Sequence, residues 1–320
     1  MDLKKLPDWK EMAKGVSRLT GHSPFYHLLD MFGCYVRYGS DEVQYGEGGL
    51  YRMDRAARKQ TYTIRRCFAL SPAFNPEENR HLCQQKEEFN RFFADYVRRP
   101  WLYCGDASEA DIRAFIDAQP RIIVKDASAM RGSGISGLDL SAGLQETARR
   151  LAGQNFLLEG WIRQHPDLCF GGCSVNTVRI TTVRDRKGGV HLLKAVLRCG
   201  VGESIVDNFT MGGVVYPVDL TRGVIEDAGT RKHSIAEGPI EVHPGTDCRM
   251  VGRQLPFWPE TLAMVRDAAA RIPGLRFIGW DVAITPDGPE LVEGNTRPGP
   301  ALLEYVGKKK GFYPEILSYL

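Results

Sequence analysis

Three residues near the C-terminal end of the chain, Asp281, Glu293 and Asn295, have types and spacing that suit a hard cation. Glu293 and Asn295 are two apart in a strand-like run, so both side chains face one side. Asp281 lies in the preceding strand-like run, and Pro286-Asp287-Gly288 between the runs reads as a hairpin turn. A three- or five-residue turn sets Asp281 opposite Glu293 on that same face. Two carboxylates and an amide oxygen then converge. Magnesium takes such oxygens, with phosphate and water completing its octahedron. Two magnesium ions sharing a carboxylate can clamp the β- and γ-phosphates of ATP. On spacing alone, a solvated polar hairpin face fits equally well.

A second candidate is the loop Met130-Arg131-Gly132-Ser133-Gly134-Ile135-Ser136-Gly137, which contains GxGxxG. A dinucleotide fold needs such glycines directly between a strand and a helix. Here Asp126–Arg131 intervenes, and Gly137–Leu140 reads as another strand. No HRD, DFG or GK[ST] sequence supports a protein kinase or a P-loop. A glycine loop between two strands remains. Its N–H groups can cover phosphates, and Lys125 just upstream can neutralise them. The third candidate is a set of polar residues inside strand-like runs, Asn176, Arg179 and Arg198, followed by the turn-rich stretch Asp207–Gly213. Fixed guanidinium groups suit a transferring phosphoryl group, whereas strand polar residues by default face water. His165, Cys169 and Cys173 recur every fourth residue, but a fourth ligand for a zinc site is not evident.

These residues need elements to hold them. Residues 1–100 read as a mostly helical lobe, with the clearest helix at Asn79–Tyr96, where Leu82, Phe89, Phe92, Phe93 and Tyr96 recur at helical spacing. After Pro100, strands alternate with helices. Arg121–Lys125 reads as a buried strand, Ser141 as the N-cap of a helix through Ala152, and Phe156–Ile162 as the next extended segment. Hairpins follow: Val175–Val183 with Val190–Cys199, then Val214–Leu220, then a helix at Pro259–Arg271, and last Phe277–Thr285 with Glu290–Asn295.

Composition sets bounds. The chain has 320 residues, 43% hydrophobic and 25% charged, and a net charge of +3, too balanced to argue for nucleic acid or a membrane. No apolar run reaches the roughly 20 residues that span a bilayer. The N-terminal Met1-Asp2-Leu3-Lys4-Lys5 lacks the apolar core of a signal peptide. The eight cysteines include no CxxC pair. The expectation is a reduced, cytoplasmic protein without nucleic-acid partner or membrane insertion. The basic Lys308-Lys309-Lys310 reads as a solvated flank.

Taken in order from Arg121 to Gly299, these pieces resemble the ATP-grasp superfamily. The resemblance implies an α+β fold with two subdomains gripping ATP: residues 1–100 as a preceding helical lobe, 101–158 as the first subdomain, and 159–320 as the second. It implies that Lys125, Gly132, Ser133 and Gly134 cover phosphates, and that Glu159, Gly160, Trp161 and Ile162 form the adenine hinge, with Asn176 also on the nucleotide side. Asp281, Glu293 and Asn295 match its magnesium ligands. Asn176-Thr177-Val178-Arg179, Arg198, Asp207-Asn208, Gly212-Gly213 and Asn295-x-x-Pro298-Gly299 resemble ligases that add glutamate to protein tails. Ser174–Arg179, His243-Pro244 and Gly279-Trp280-Asp281-Val282-Ala283 look still more like the sugar-transfer associated ATP-grasp group. The implied activity is ligation of a small-molecule carboxylate to an amine or sugar-linked acceptor through an acyl phosphate, in a sugar-linked or other biosynthetic pathway. ATP and two Mg²⁺ ions would serve it. Arg179, Arg198, Asn208 and Arg297 would be catalytic, with Arg297 holding the substrate carboxylate. The rivals are a kinase acting on a sugar or polyol hydroxyl, with His233 or His243 as its base, and a nucleotide-binding module without turnover. Residues 1–100 depart from the superfamily, because they lack the alternation of a Rossmann-like substrate domain.

Overall fold

A computed structural model describes residues 6–128, 134–171, 174–202, 212–231, 238–307 and 310–320. The expected phosphate-loop residues Gly132 and Ser133, together with Asn208, Cys173 and His233, lie outside these. Among the described residues no helix is long and apolar enough to cross a membrane.

The N-terminal part consists of α1 (Leu6–Thr20), α2 (Pro24–Tyr38), α3 (Glu42–Gly46), α4 (Arg55–Gln60), α5 (Ile64–Phe74), α6 (His81–Gln84) and α7 (Lys86–Phe92). Helix α2 begins where the Ser23 hydroxyl accepts from Tyr26 N–H and Pro24 presets the first turn. It ends at Gly39, whose φ of 71° is the left-handed cap that favours glycine. Trp9, Ala13 and Val16 of α1 pack against Met31, Cys34 and Tyr38 of α2.

The single helix expected over 79–96 is instead a 3₁₀ turn and two short helices, broken at Gln85, whose ψ of 114° is extended. Local periodicity loses here to tertiary partners. The Lys86 N–H turns to the Ala127 carbonyl, and the Asn90 amide donates to Glu159. The aromatic stripe still packs inward: Phe89 and Phe93 are buried, and Phe93 meets Trp280 edge-on at 5.5 Å.

Two antiparallel sheets follow. The first is β1 (Trp101–Tyr103), β4 (Phe156–Gly160), β2 (Ile122–Asp126) and β3 (Ile135–Gly137), in that spatial order. Helices α8 (Glu109–Ala118) and α9 (Leu144–Leu151) supply Ile112, Ile116 and Ala148 to its core. Two local readings are corrected. Strand β3 lies at 135–137 rather than 137–140, because Ile135, Ser136 and Gly137 pair with Lys125, Val124 and Ile123. Helix α9 is capped at Gly143, and the Ser141 hydroxyl binds the Asp139 carboxylate instead of opening the helix.

The second sheet runs β10 (Gly288–Asn295), β9 (Phe277–Thr285), β5 (Thr177–Arg184), β6 (Val190–Cys199), β7 (Val214–Val218) and β8 (Thr230–Arg231). Alternation splits its faces. Val178, Ile180, Leu197, Trp280 and Val282 pack beneath α10 (Trp258–Arg271) through Met264, Val265 and Ala268. The opposite face carries the polar residues. At the Phe277 end, α5 and the terminal α11 (Tyr313–Leu317) cover that end of the sheet with Phe74 and Ile316.

The last hairpin differs from expectation in how it reaches its register. The turn has two residues, since Thr285 pairs with Gly288, and this register continues to Leu291 opposite Val282. Continued further, it would set Glu293 opposite Trp280. A bulge between Leu291 and Glu293 absorbs Val292, so Glu293 faces Asp281 and Asn295 faces Gly279.

Candidate active site

Strands β10, β9, β5 and β6 lie side by side and present Glu293, Asp281, Arg179 and Arg198 as one charged row. Arg179 pairs directly with Asp281 across β5 and β9. Its Nε and Nη2 donate to the two Asp281 oxygens, the second at 2.6 Å. Arg198 adds a third donor to Asp281 Oδ2 at 2.6 Å. Burial opposes charge on Asp281, yet the two guanidiniums outweigh it and hold its carboxyl well below the usual range. Glu293 behaves oppositely. Desolvation and the adjoining Asp281 charge both push its pKa up. Since its side chain is 47% exposed, the like charge is the firmer cause. Arg179 offsets only part of it from 3.7 Å.

This donor set fits a divalent ion. The Asn295 amide nitrogen is directed at Glu293 Oε1 (3.0 Å) and at the Gly279 carbonyl (3.4 Å). The arrangement turns the amide oxygen away from Glu293 Oε1, next to two carboxylates that crowd one another, of which Asp281 takes both guanidiniums and Glu293 meets only Arg179 at 3.7 Å. All three groups can offer hard oxygens, the chemistry that magnesium takes. Among the described residues no group of three His, Cys, Asp or Glu side chains forms a metal cluster, so the set is two carboxylates and an amide.

A second charged cluster sits across from the first. Glu159 on β4 is buried and accepts from Asn90 (3.1 Å) and Arg99 (2.8 Å) on one oxygen, while Lys125 of β2 pairs with the other. Burial disfavours its charge, but Arg99 and Lys125 prevail and hold it well below the ordinary carboxylate range. Lys86 joins the clusters. Its ammonium donates to the Asp126 carbonyl at 2.8 Å, burial lowers its pKa, and the charges of Glu293, Lys125 and Glu159 all act on it. Lys86 and Arg99 were not singled out in the sequence. Lys86 is hidden in a helical pattern, and Arg99 beside Pro100 reads as ordinary surface charge.

The other expected residues divide. The Gly160 and Trp161 N–H groups are taken by the Pro100 and Arg121 carbonyls, and Arg121 stacks on the Trp161 ring at 3.6 Å. Among the described residues the Ile162 N–H has no partner. Gly134 has a φ of 71° and its carbonyl accepts from Asp126 N–H, which anchors the loop end. The Asn176 side chain is spent on the Leu168 carbonyl (2.7 Å) and Gly200 N–H (3.0 Å), closing a loop onto β5. Arg297 lies on the surface over the Phe68 ring at 5.6 Å, away from the charged row's hydrogen bonds. His243 is buried against the Gly200 carbonyl. His165 Nδ1 accepts from Asp167 N–H within a 3₁₀ turn.

The sugar-transfer associated ATP-grasp family matches residues 68–315. Among solved structures, the ATP-grasp ligase PsnB with minimal precursor, Mg and ADP is similar at 12% identity over 79% of this chain and 65% of that one, with a TM-score of 0.48. The L-amino acid ligase from Bacillus licheniformis gives 15%, 76%, 48% and 0.45. D-alanyl-alanine synthetase A from Vibrio cholerae gives 14%, 77%, 67% and 0.44. The chain spans 60% of another PsnB structure and 45% of an N5-carboxyaminoimidazole ribonucleotide synthetase, less than two thirds of each. No curated protein matches the chain.

Proposed function

The chain belongs to the sugar-transfer associated ATP-grasp family, and on that premise we propose that it is an ATP- and magnesium-dependent ligase joining a carboxylate to an amine. The observation that carries this reading is the row Glu293–Asp281–Arg179–Arg198 on four adjacent strands, with Asn295 completing an oxygen set. The nucleotide would lie between residues 101–158 and 159–320, with Lys125 and Lys86 toward its phosphates and Glu159 to Ile162 beside the base. Asp281, Glu293 and Asn295 would hold magnesium, which neutralises phosphate charge when bound.

The chain's own part is positioning and charge. A substrate carboxylate oxygen attacks the γ-phosphorus, the bond to the β-phosphate oxygen breaks, and ADP leaves with that electron pair. The acyl phosphate is then attacked at carbon by an amine. Phosphate departs, and the amine proton passes to solvent. Arg179 and Arg198 are fixed by Asp281 before the substrate arrives, so they meet the transferring phosphoryl group without reorganising. Lys125 is likewise held by Glu159. His243, one of the two bases the kinase reading would need, is buried with its Nε2 against the Gly200 carbonyl, which counts against it in that role.

The test is chemical. Incubated with ATP, Mg²⁺, hydroxylamine and a panel of amino-acid and sugar-acid carboxylates, the protein should yield ADP and a hydroxamate. Glu293→Ala should yield neither while its circular dichroism stays native. A stable phosphorylated acceptor, with no free phosphate and no hydroxamate, would falsify the ligase reading.

A further inference from the structure

The bulge at Val292 decides whether Glu293 and Asn295 reach the Asp281 face, and one side chain holds it. Arg99 lies in the segment between α7 and β1 and is buried, with only 2% of its side chain exposed. Its Nη1 donates to the Leu291 carbonyl at 2.7 Å and approaches Glu290 at 3.5 Å. Its Nη2 donates to Glu159 at 2.8 Å and to the Val292 carbonyl at 3.3 Å. The two carbonyls are those preceding and at the bulge, where a ladder loses regular partners. A buried carbonyl without a partner is costly, so the bulge persists where a donor meets it. The backbone around Arg99 extends the seam: Leu291 N–H donates to the Tyr96 carbonyl, and Gly160 N–H to the Pro100 carbonyl.

We infer that Arg99 is a positioning residue that locks the β10 bulge, and thereby the Glu293–Asp281–Asn295 set, to the strand carrying Glu159. The inference rests on the magnesium role given to those three residues above. The reasoning is geometric. With a two-residue turn and no bulge, Val292 would oppose Asp281 and Glu293 would turn toward Trp280, in the apolar layer under α10. Arg99 reads the extra residue by its carbonyl and reads β4 by the Glu159 carboxylate. Only a planar fork spans two carbonyls and two carboxylates at once. A lysine keeps the charge and loses the span.

The register supplies a suppressor. Deleting Val292 removes the extra residue, so Leu291 stays opposite Val282 and Glu293 becomes its neighbour opposite Asp281 without any bulge. The deletion should therefore relieve the need for Arg99.

Four proteins test this: wild type, Arg99→Lys, the Val292 deletion, and the two combined. Two readouts are taken: the Mg²⁺ dependence of the thermal shift given by ADP, and amide hydrogen exchange of 292–295 in metal-free protein. Arg99→Lys should weaken the apparent Mg²⁺ affinity by about tenfold or more, as loss of groups that orient metal ligands commonly does. It should also speed exchange across 292–295. The deletion alone should stay near wild type, and the combination should recover most of the Arg99→Lys loss in both readouts. Should Arg99→Lys not fold, recovery of folding by the deletion is the same result. Wild-type behaviour of Arg99→Lys overturns the inference. So does a combined variant no better than Arg99→Lys, or a deletion that alone abolishes the Mg²⁺ response. A wild-type protein without any Mg²⁺-dependent shift refutes the magnesium reading instead, and the exchange data then still decide the bulge.

Discussion

Replacing one charge by its amide should have opposite effects on stability at two facing positions. Glu293 and Asp281 are cross-strand partners, and the Asp281 charge acts directly on the Glu293 carboxyl. At about 4 Å and an effective dielectric near 20, two such charges repel by about 4 kcal/mol. Arg179 at 3.7 Å from Glu293 offsets part of that, and the 47% exposure of the Glu293 side chain screens much of the rest. A residue of about 1 kcal/mol is left, so Glu293→Gln should stabilise the metal-free protein by roughly that amount, raising Tm by about 2 °C. Asp281→Asn does the reverse. Asp281 is nearly fully buried and takes both guanidiniums. Removing its charge takes away the buried carboxylate to which both guanidiniums donate, at about 3–5 kcal/mol, or roughly 6–10 °C in Tm. Thermal melts at neutral pH in chelator measure both, and a second set with Mg²⁺ and ADP should show no metal-dependent gain in either variant. Two variants that lose stability alike would refute the electrostatic reasoning, because then Glu293 would be a structural charge and not a strained ligand.

Two further outcomes follow from packing and burial. Burial next to Lys194 pulls the Lys310 ammonium from 10.5 down to about 7. Its contribution to stability is complete above the unfolded value and drains as pH falls through about 7, so wild type should lose stability relative to Lys310→Met over that window, and parallel urea midpoints from pH 10 to 6 would contradict this. At Gly294, a new Cβ would lie 2.9 Å from Cys83 Sγ and 3.2 Å from the Phe89 ring. Gly294→Ala should cost about 1–3 kcal/mol in urea unfolding, and adding Cys83→Ala should return part of it; no recovery would show that the clash lies elsewhere.

The charged row was legible because alternation is a local rule. A polar residue inside a run such as Thr177–Arg184 must face away from the apolar neighbours that alternate with it, and Arg179 does. The pairing of Glu293 with Asp281 was legible as a face but not as a mechanism. The turn is one residue shorter than that face needs, and what restores it is a guanidinium 192 residues away in sequence. The broken helix at Gln85 was illegible for the same reason. Its aromatic spacing satisfies a continuous helix, and only the partners of Lys86 and Asn90 in the first sheet interrupt it. Asn176 shows the converse case. A polar residue at a strand end looks functional, yet its amide serves the backbone of Leu168 and Gly200. Lys86 carried a signal that was available: a lysine at the first turn of a helix is unfavourable for the dipole, so its placement needs another reason.

The order of the strands in the charged row also has a consequence in time. Arg179 and Arg198 precede Asp281 by 102 and 83 residues. On a ribosome adding about 5–20 residues per second, the two arginines wait about 5–20 s before their carboxylate is made. Strand β5, which ends up between β9 and β6, spends that interval with one edge open. A nascent chain in this state has a strand edge whose N–H and C=O groups are not yet paired. The centre of the second sheet thus closes when β9 has been made, and the oxygen set on its edge strand is complete only once synthesis has passed Asn295.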